Sequence, residues 1–176
     1  MPPALFVAIV PPAPVVDALC RIQPPADSHV RTVAAERLHL TLRYIGRDAP
    51  DGVAQCLRDV RASPFQITVS GTGHFGTARR GLTLWAGVEP SDELLRVRSQ
   101  VDAALVAAGC APAELSFRPH ITLARCKPRA PAEILDAQRR ARIESSFMVS
   151  EFALYTSHPA QQGPPQYRCE QVYPLD

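Results

Sequence analysis

The sequence predicts an α+β fold, one domain over residues 1–176 made of two similar lobes. Three observations carry this. Segments of helical and strand period are interleaved, and successive strands are joined sometimes by a helix and sometimes by a short turn, unlike a strictly alternating doubly wound sheet. A tetrapeptide of His, an apolar residue, Thr and Leu stands at 39–42 and again at 120–123, each copy behind a strand-helix unit. Hydrophobic residues make up 46% of 176, enough for one or two modest cores.

Taken in order, Ala4 to Val10 reads as a strand and Val15 to Ile22 as a short helix, with Val15, Val16, Leu19 and Ile22 on one face. Arg37 to Tyr44 alternates, Leu38, Leu40 and Leu42 against His39, Thr41 and Arg43, which is the period of a half-buried strand. Asp48, Pro50 and Asp51 resemble a helix start before Val53, Leu57 and Val60. Strands Phe65 to Ser70 and Leu82 to Val88 flank GTGHFGTARRG, a segment with the make-up of a mobile lip. Ser91 opens a longer helix with Leu94, Val97, Val101, Leu105 and Ala108 on one face and Gly109 as its stop. Phe117 to Cys126 returns to strand, Pro131 to Gln138 is a short helix, and Phe147 to Thr156 and Gln166 to Tyr173 are closing strands.

Composition narrows the function classes. Eighteen prolines are roughly twice the usual ~5% share while nine glycines are ordinary, so proline belongs between elements, and disorder and collagen are excluded. Nineteen basic against 17 acidic residues leave a formal charge of +2, too little for the broad field of a non-specific duplex binder. Any anion must be gripped locally. All basic residues but Lys127 are Arg, which suits bidentate phosphate contacts. The apolar run after Pro3 lacks a basic lead and stops at Pro11, unlike a signal peptide, and no stretch nears the ~20 apolar residues of a membrane helix. Cys20, Cys56, Cys110, Cys126 and Cys169 are odd in number and widely spaced, which fits no disulfide framework or C-x-x-C site. A cytoplasmic chain with no membrane partner is expected.

The repeat carries the chemistry. In a strand, residues i and i+2 share a face, so each copy presents an imidazole and a hydroxyl roughly 7 Å apart. Two copies facing one cleft bring together His39, Thr41, His120 and Thr122. Imidazole titrates near neutrality, with an ordinary pKa of ~6.5, so a pair can divide into general base and general acid. Threonine hydroxyls can donate to charged phosphoryl oxygens. This set suits cleavage of a phosphodiester, and a 2′,3′-cyclic phosphate above all, because its ring holds phosphorus and leaving oxygen in one compact strained unit. Zinc is a competing use of two histidines, but no H-x-H, H-E-x-x-H or C-x-x-C supplies further ligands, so neither metal nor cofactor is expected.

LFVAI at Leu5, RLHLTLRYIG at Arg37, GHFG at Gly73, LWAGV at Leu84, FRPHITLAR at Phe117 and the closing YPL together resemble the two-histidine (2H) phosphoesterase superfamily. Within it the likeness is to the bacterial and archaeal RNA 2′,3′-cyclic phosphodiesterases, also called 2′-5′ RNA ligases. The resemblance implies two antiparallel sheets flanked by outer helices around a central groove holding both motifs. It implies metal-independent hydrolysis of cyclic phosphate ends to 2′-phosphomonoesters, with His39 as proton donor, His120 as proton acceptor, and Thr41 and Thr122 on the phosphate. From the residues alone, either histidine could take either role. Its partners would be RNA or nucleotides with a 2′,3′-cyclic phosphate terminus, tRNA fragments among them, met by a monomer. Two other readings use the same groove: reversible 2′-5′ ligation of tRNA halves, and a non-catalytic RNA-end binding module.

Around the motifs, Arg43 shares the face of His39 and Thr41 if its strand stays regular, as a substrate contact or a rim ion pair. Arg125, five residues after His120, reaches a phosphate only if its strand bends. His74 and Phe75 are further substrate-binding candidates, Phe75 through base stacking or as core. Trp85 reads as core, and His29 and His158 as surface loop.

Overall fold

The computed structural model of the chain describes residues 2–47, 49–113 and 116–176. In chain order the elements are β1 (Ala4–Ile9), α1 (Ala13–Arg21), β2 (Val30–Thr32), β3 (Leu40–Gly46), α2 (Val53–Cys56), β4 (Phe65–Thr77), β5 (Gly81–Val88), α3 (Asp92–Ala107), β6 (His120–Cys126), α4 (Ala132–Arg140), β7 (Glu144–Val149), β8 (Glu151–His158) and β9 (Gln166–Pro174). The strands form one sheet in the order β7-β4-β5-β6-β3-β1-β8-β9, with β2 added to β6, and every pairing is antiparallel. Among the described residues the two halves, β7-β4-β5-β6 and β3-β1-β8-β9, pair as strands only at Leu40 opposite Ile121. That single pair is where the sheet opens.

Local sequence explains most boundaries. Ser91 caps α3 by accepting a hydrogen bond from the Leu94 backbone N–H at 3.2 Å, and Leu94, Val97, Val101 and Leu105 are buried as their spacing predicts. The expected helix to Val60 is α-helical only to Cys56 and then tightens into a 3₁₀ turn over Leu57–Asp59, although Val53, Leu57 and Val60 are all buried. Asp48, part of its expected start, lies outside the described residues. The expected lip is mostly strand, because β4 runs on to Thr77 and pairs with β5 as far as Gly81, leaving only the hairpin tip.

The expected strand from Phe147 to Thr156 is two strands. β7 pairs with β4 and β8 with β1, and Ser150 alone links them. Six inter-strand steps at ~4.8 Å would separate them by about 29 Å in a flat sheet. The sheet therefore curls until its β7 and β8 regions meet. Inside the curl, residues of β1, β3, β4, β6, β7 and β8 pack with α1 and α3 in the main core, while Ile134 and Leu135 of α4 cover a smaller cluster of Val30, Leu82, Leu84, Ala124 and Cys126. β5 alternates strictly: Leu82, Leu84, Ala86 and Val88 face the helices, and Gly81, Thr83, Trp85 and Gly87 face the other way. The site lies on that second face.

Candidate active site

Leu40 and Ile121 point into the core, so their neighbours His39, Thr41, His120 and Thr122 point to the opposite face, where the sheet opens. The antiparallel sense sets Thr41 across from His120 and His39 across from Thr122. The histidines are thus diagonal, about 7–8 Å apart or more. All four line one cavity of about 250 Å³, together with Phe6, Arg37, Tyr44, Arg125 and Tyr167. That is smaller than the roughly 300–1,000 Å³ of a drug-sized site. Its volume matches a group the size of a phosphate with its sugar, and anything larger would extend to the flanks.

Both imidazoles are oriented the same way. Nδ1 of His39 lies 2.7 Å from the Arg37 carbonyl and Nδ1 of His120 lies 2.7 Å from the Arg118 carbonyl. A carbonyl only accepts, so Nδ1 carries the proton and donates, and Nε2 is left to exchange one with a ligand. Each ring also has an aromatic wall. Phe6 lies 5.0 Å from His39 and Tyr167 meets it edge-on at 5.5 Å; Phe75 meets His120 edge-on at 4.9 Å, with Trp85 at 6.2 Å. Trp85 can lie there because β4 has glycine beneath it: a Cβ on Gly73 would come within 2.3 Å of the indole.

A β-bulge follows each motif. In β6, Thr122 pairs with Trp85 and Ala124 with Leu84, so Leu123 is the extra residue. The bulge reverses the alternation, and Arg125 joins His120 and Thr122 on the site face, its Nη1 donating to Thr83 Oγ1 at 3.3 Å. Gln23 supports the bulge by donating from Nε2 to the carbonyls of Leu123, at 3.0 Å, and Val33, at 2.7 Å. In β3, Thr41 pairs with Ala8 and Arg43 with Val7, leaving Leu42 as the extra residue. The consequence there is a correction. Arg43 does not share the face of His39 and Thr41: it is turned toward α3, where Nε donates to Asp102 at 2.8 Å and its other nitrogens to the carbonyls of Tyr44 and Ala111. Tyr44 takes the site-face position and is exposed.

Phe75 reaches the site through His120, but His74 does not. It pairs across from Leu84, on the other face, and is exposed. Arg37, Tyr44, Phe6 and Tyr167 are groove residues that the sequence reading missed. Arg37 lies with its guanidinium 4.5 Å over the Tyr167 ring. Among the described residues no group of three or more His, Cys, Asp or Glu side chains could hold a metal ion, and no helix is long and apolar enough to cross a membrane.

Burial holds the pKa of His39 below the ordinary 6.5, and the cations Arg37 and Arg125 and the diagonal His120 push the same way, against the Arg37 carbonyl bond that favours the charged ring. The unfolded chain therefore takes this proton first. Stability is lost as pH falls from about 6.5 through the lower folded value, and the loss is then constant. Urea unfolding from pH 8 to pH 5 is expected to show a steeper acid decline in the wild type than in His39→Gln. Added phosphate should flatten it by favouring the folded, charged ring; equal slopes in both proteins would remove His39 as the cause.

The curled sheet and the paired histidine strands are the make-up of a two-histidine phosphoesterase. Comparisons agree. A family model described as the 2′-5′ RNA ligase superfamily matches residues 11–161, and the chain belongs to that family. An RNA 2′,3′-cyclic phosphodiesterase of Aeropyrum pernix is 34% identical over 142 residues, covering 77% of this chain and 81% of the relative. One from Methanothermobacter thermautotrophicus is 32% identical over 149 residues, covering 79% of each chain. Among solved structures, E. coli LigT complexed with 3′-AMP superposes with a TM-score of 0.77 at 25% identity over 99% of both chains. The α+β fold around a central groove is the expected one, with the two sheets merged at one residue pair.

Proposed function

We propose that the chain hydrolyses 2′,3′-cyclic phosphate ends of RNA or nucleotides to 2′-phosphomonoesters without metal. The observation that carries this is the diagonal pair of imidazoles, each pinned through Nδ1 with Nε2 left for chemistry. His120 takes a proton from water through Nε2 as the water oxygen attacks phosphorus. The P–O3′ bond breaks, and His39 gives its Nε2 proton to the departing 3′-oxygen. A diagonal pair matches in-line displacement, in which attacking and leaving oxygens lie on opposite sides of phosphorus. Thr41 and Thr122 donate to the non-bridging oxygens, and Arg37 and Arg125 supply positive charge to the crowded phosphorus centre.

The low proton affinity of His39 in the empty groove is compatible with its role as acid. An arriving phosphate anion sits against the ring and opposes the effect of burial, so substrate binding loads the proton. The activity named for the relatives supports the reaction, and the likeness to LigT bound to 3′-AMP supports a nucleotide ligand. The same geometry supports a duplicated ancestry for the two lobes: each half has an Arg two residues before its His and a bulge at the Leu after its Thr. Five unpaired cysteines suit a reducing, cytoplasmic compartment, which fractionation would check, and sedimentation would check the expected monomer.

A 2′,3′-cyclic-phosphate oligonucleotide incubated in excess EDTA is expected to yield only 2′-phosphate ends at the rate seen without chelator. Loss of turnover in EDTA would overturn the metal-free reading, and 3′-phosphate products would reverse the assignment of the leaving oxygen. The family's description as ligases adds one assay: tRNA halves with a cyclic phosphate and a 5′-hydroxyl would report the reverse reaction.

A further inference from the structure

The groove has two open ends, and their chemistry differs. Past His120 a hollow of about 670 Å³ has aromatic walls, Tyr44, Phe75 and Phe117, with three arginines among them: Arg43 is held by Asp102, Arg98 lies 4.5 Å over the Phe117 ring, and Arg118 stands beside His120. Past Arg125 lies a second basin of about 490 Å³, lined by Asp27, His29, Arg31 and Lys127, with Arg125 shared between basin and groove. The basin is a built feature. Asp27 Oδ1 accepts the backbone N–H groups of His29, at 2.6 Å, and Val30, at 2.8 Å, and the Lys127 N–H donates to the His29 carbonyl at 2.8 Å. Those bonds fix β2 against the end of β6.

What they fix is a like-charge pair. Arg31 stands directly opposite Arg125 in the β2–β6 ladder, so both guanidinium groups leave the sheet from one face. Like charges directly opposite in a ladder destabilise it. Neither forms an ion pair among the described residues, nor does Lys127. Three cations face the basin with one acid, whose carboxylate is engaged in holding the loop. An anion running across them would relieve the repulsion.

An RNA that ends in a 2′,3′-cyclic phosphate continues only from the 5′-oxygen of its last nucleotide. With the terminal phosphate between the histidines, the rest of the strand must leave by one end of the groove. Stacking surfaces suit a base, and unpaired cations suit phosphodiesters. Resting on the function proposed above, we infer that the basin of Arg31, Lys127 and Arg125 holds the backbone phosphates of the preceding nucleotides. The preferred substrate is then an oligoribonucleotide end rather than a free cyclic mononucleotide.

The test is a fluorescence titration of an octaribonucleotide ending in a 3′-phosphate, and separately of adenosine 3′-phosphate, against the full chain at several salt concentrations. The doubly substituted Arg31→Ala, Lys127→Ala chain is expected to bind the octamer about tenfold more weakly. Its log K against log salt slope should be shallower by about 1.4, which is two contacts at ~0.7 each for a single strand. Affinity for adenosine 3′-phosphate should stay within twofold. Equal weakening of both ligands, an unchanged octamer slope, or an octamer-only loss in Arg118→Ala instead would overturn the inference. Because the readout is binding, it stands apart from turnover: absence of hydrolysis in EDTA would sink the proposed reaction and leave the titration informative.

Discussion

Replacing His120 by alanine is expected to slow hydrolysis of a 2′,3′-cyclic phosphate end by ~10²–10⁴, the contribution of one positioned proton-transfer group. His39→Ala should cost a similar factor. Binding of adenosine 3′-phosphate should change little in either, because Thr41, Thr122, Arg37 and Arg125 still surround the phosphate. Activity within a few-fold of wild type in either variant would remove that histidine from the chemistry. The two losses can also be told apart. If His39 protonates the leaving oxygen, a substrate with sulfur at the 3′-bridging position should restore much of the activity of His39→Ala, since a thiolate leaves without protonation. It should not rescue His120→Ala, whose missing proton acceptor acts on water. The opposite pattern of rescue would exchange the two roles, and rescue of neither would place the variants' defect in geometry rather than in proton transfer.

The legible part of this molecule was its periodicity. Strict alternation in β5 and the four-residue stripe of α3 follow from burial on one face, and the structure keeps both. The paired motif was legible because two H-x-T strands are rare by chance and need only local strand geometry to place an imidazole and a hydroxyl together. Illegible were the places where alternation is interrupted. A bulge at Leu42 and another at Leu123 move Arg43 off the site face and Arg125 onto it, and no residue type at those positions announces the insertion. A signal did exist at Ser150: Phe147 and Val149 are apolar in one phase and Phe152 and Leu154 in the other, which a single strand cannot satisfy. Extending the repeat by two residues would also have found Arg37, since Arg stands before both histidines at 37 and 118.

Arg125→Ala is expected to lower kcat by ~10²–10³, the cost of removing one donor aimed at charge that develops in the transition state. The reasoning starts from the bulge. Without Leu123 as an extra residue, Arg125 would face the core where Ala124 now lies, and the groove would be left with Arg37 as its nearest guanidinium. Building the bulge interrupts the β5–β6 ladder, and the chain supports it with the Gln23 amide on the Leu123 carbonyl and the Val33 N–H on the same oxygen at 2.9 Å. Arg125→Lys keeps the charge but loses the planar fork, so it should fall between alanine and wild type. Gln23→Ala acts only through position. It should lower kcat less than Arg125→Ala does, and it should add little to Arg125→Ala in the double variant, because the residue it positions is already gone. Full additivity of the two losses would show that Gln23 serves the fold rather than Arg125, and an Arg125→Ala enzyme within twofold of wild type would confine that guanidinium to the strand-holding basin it shares with Arg31.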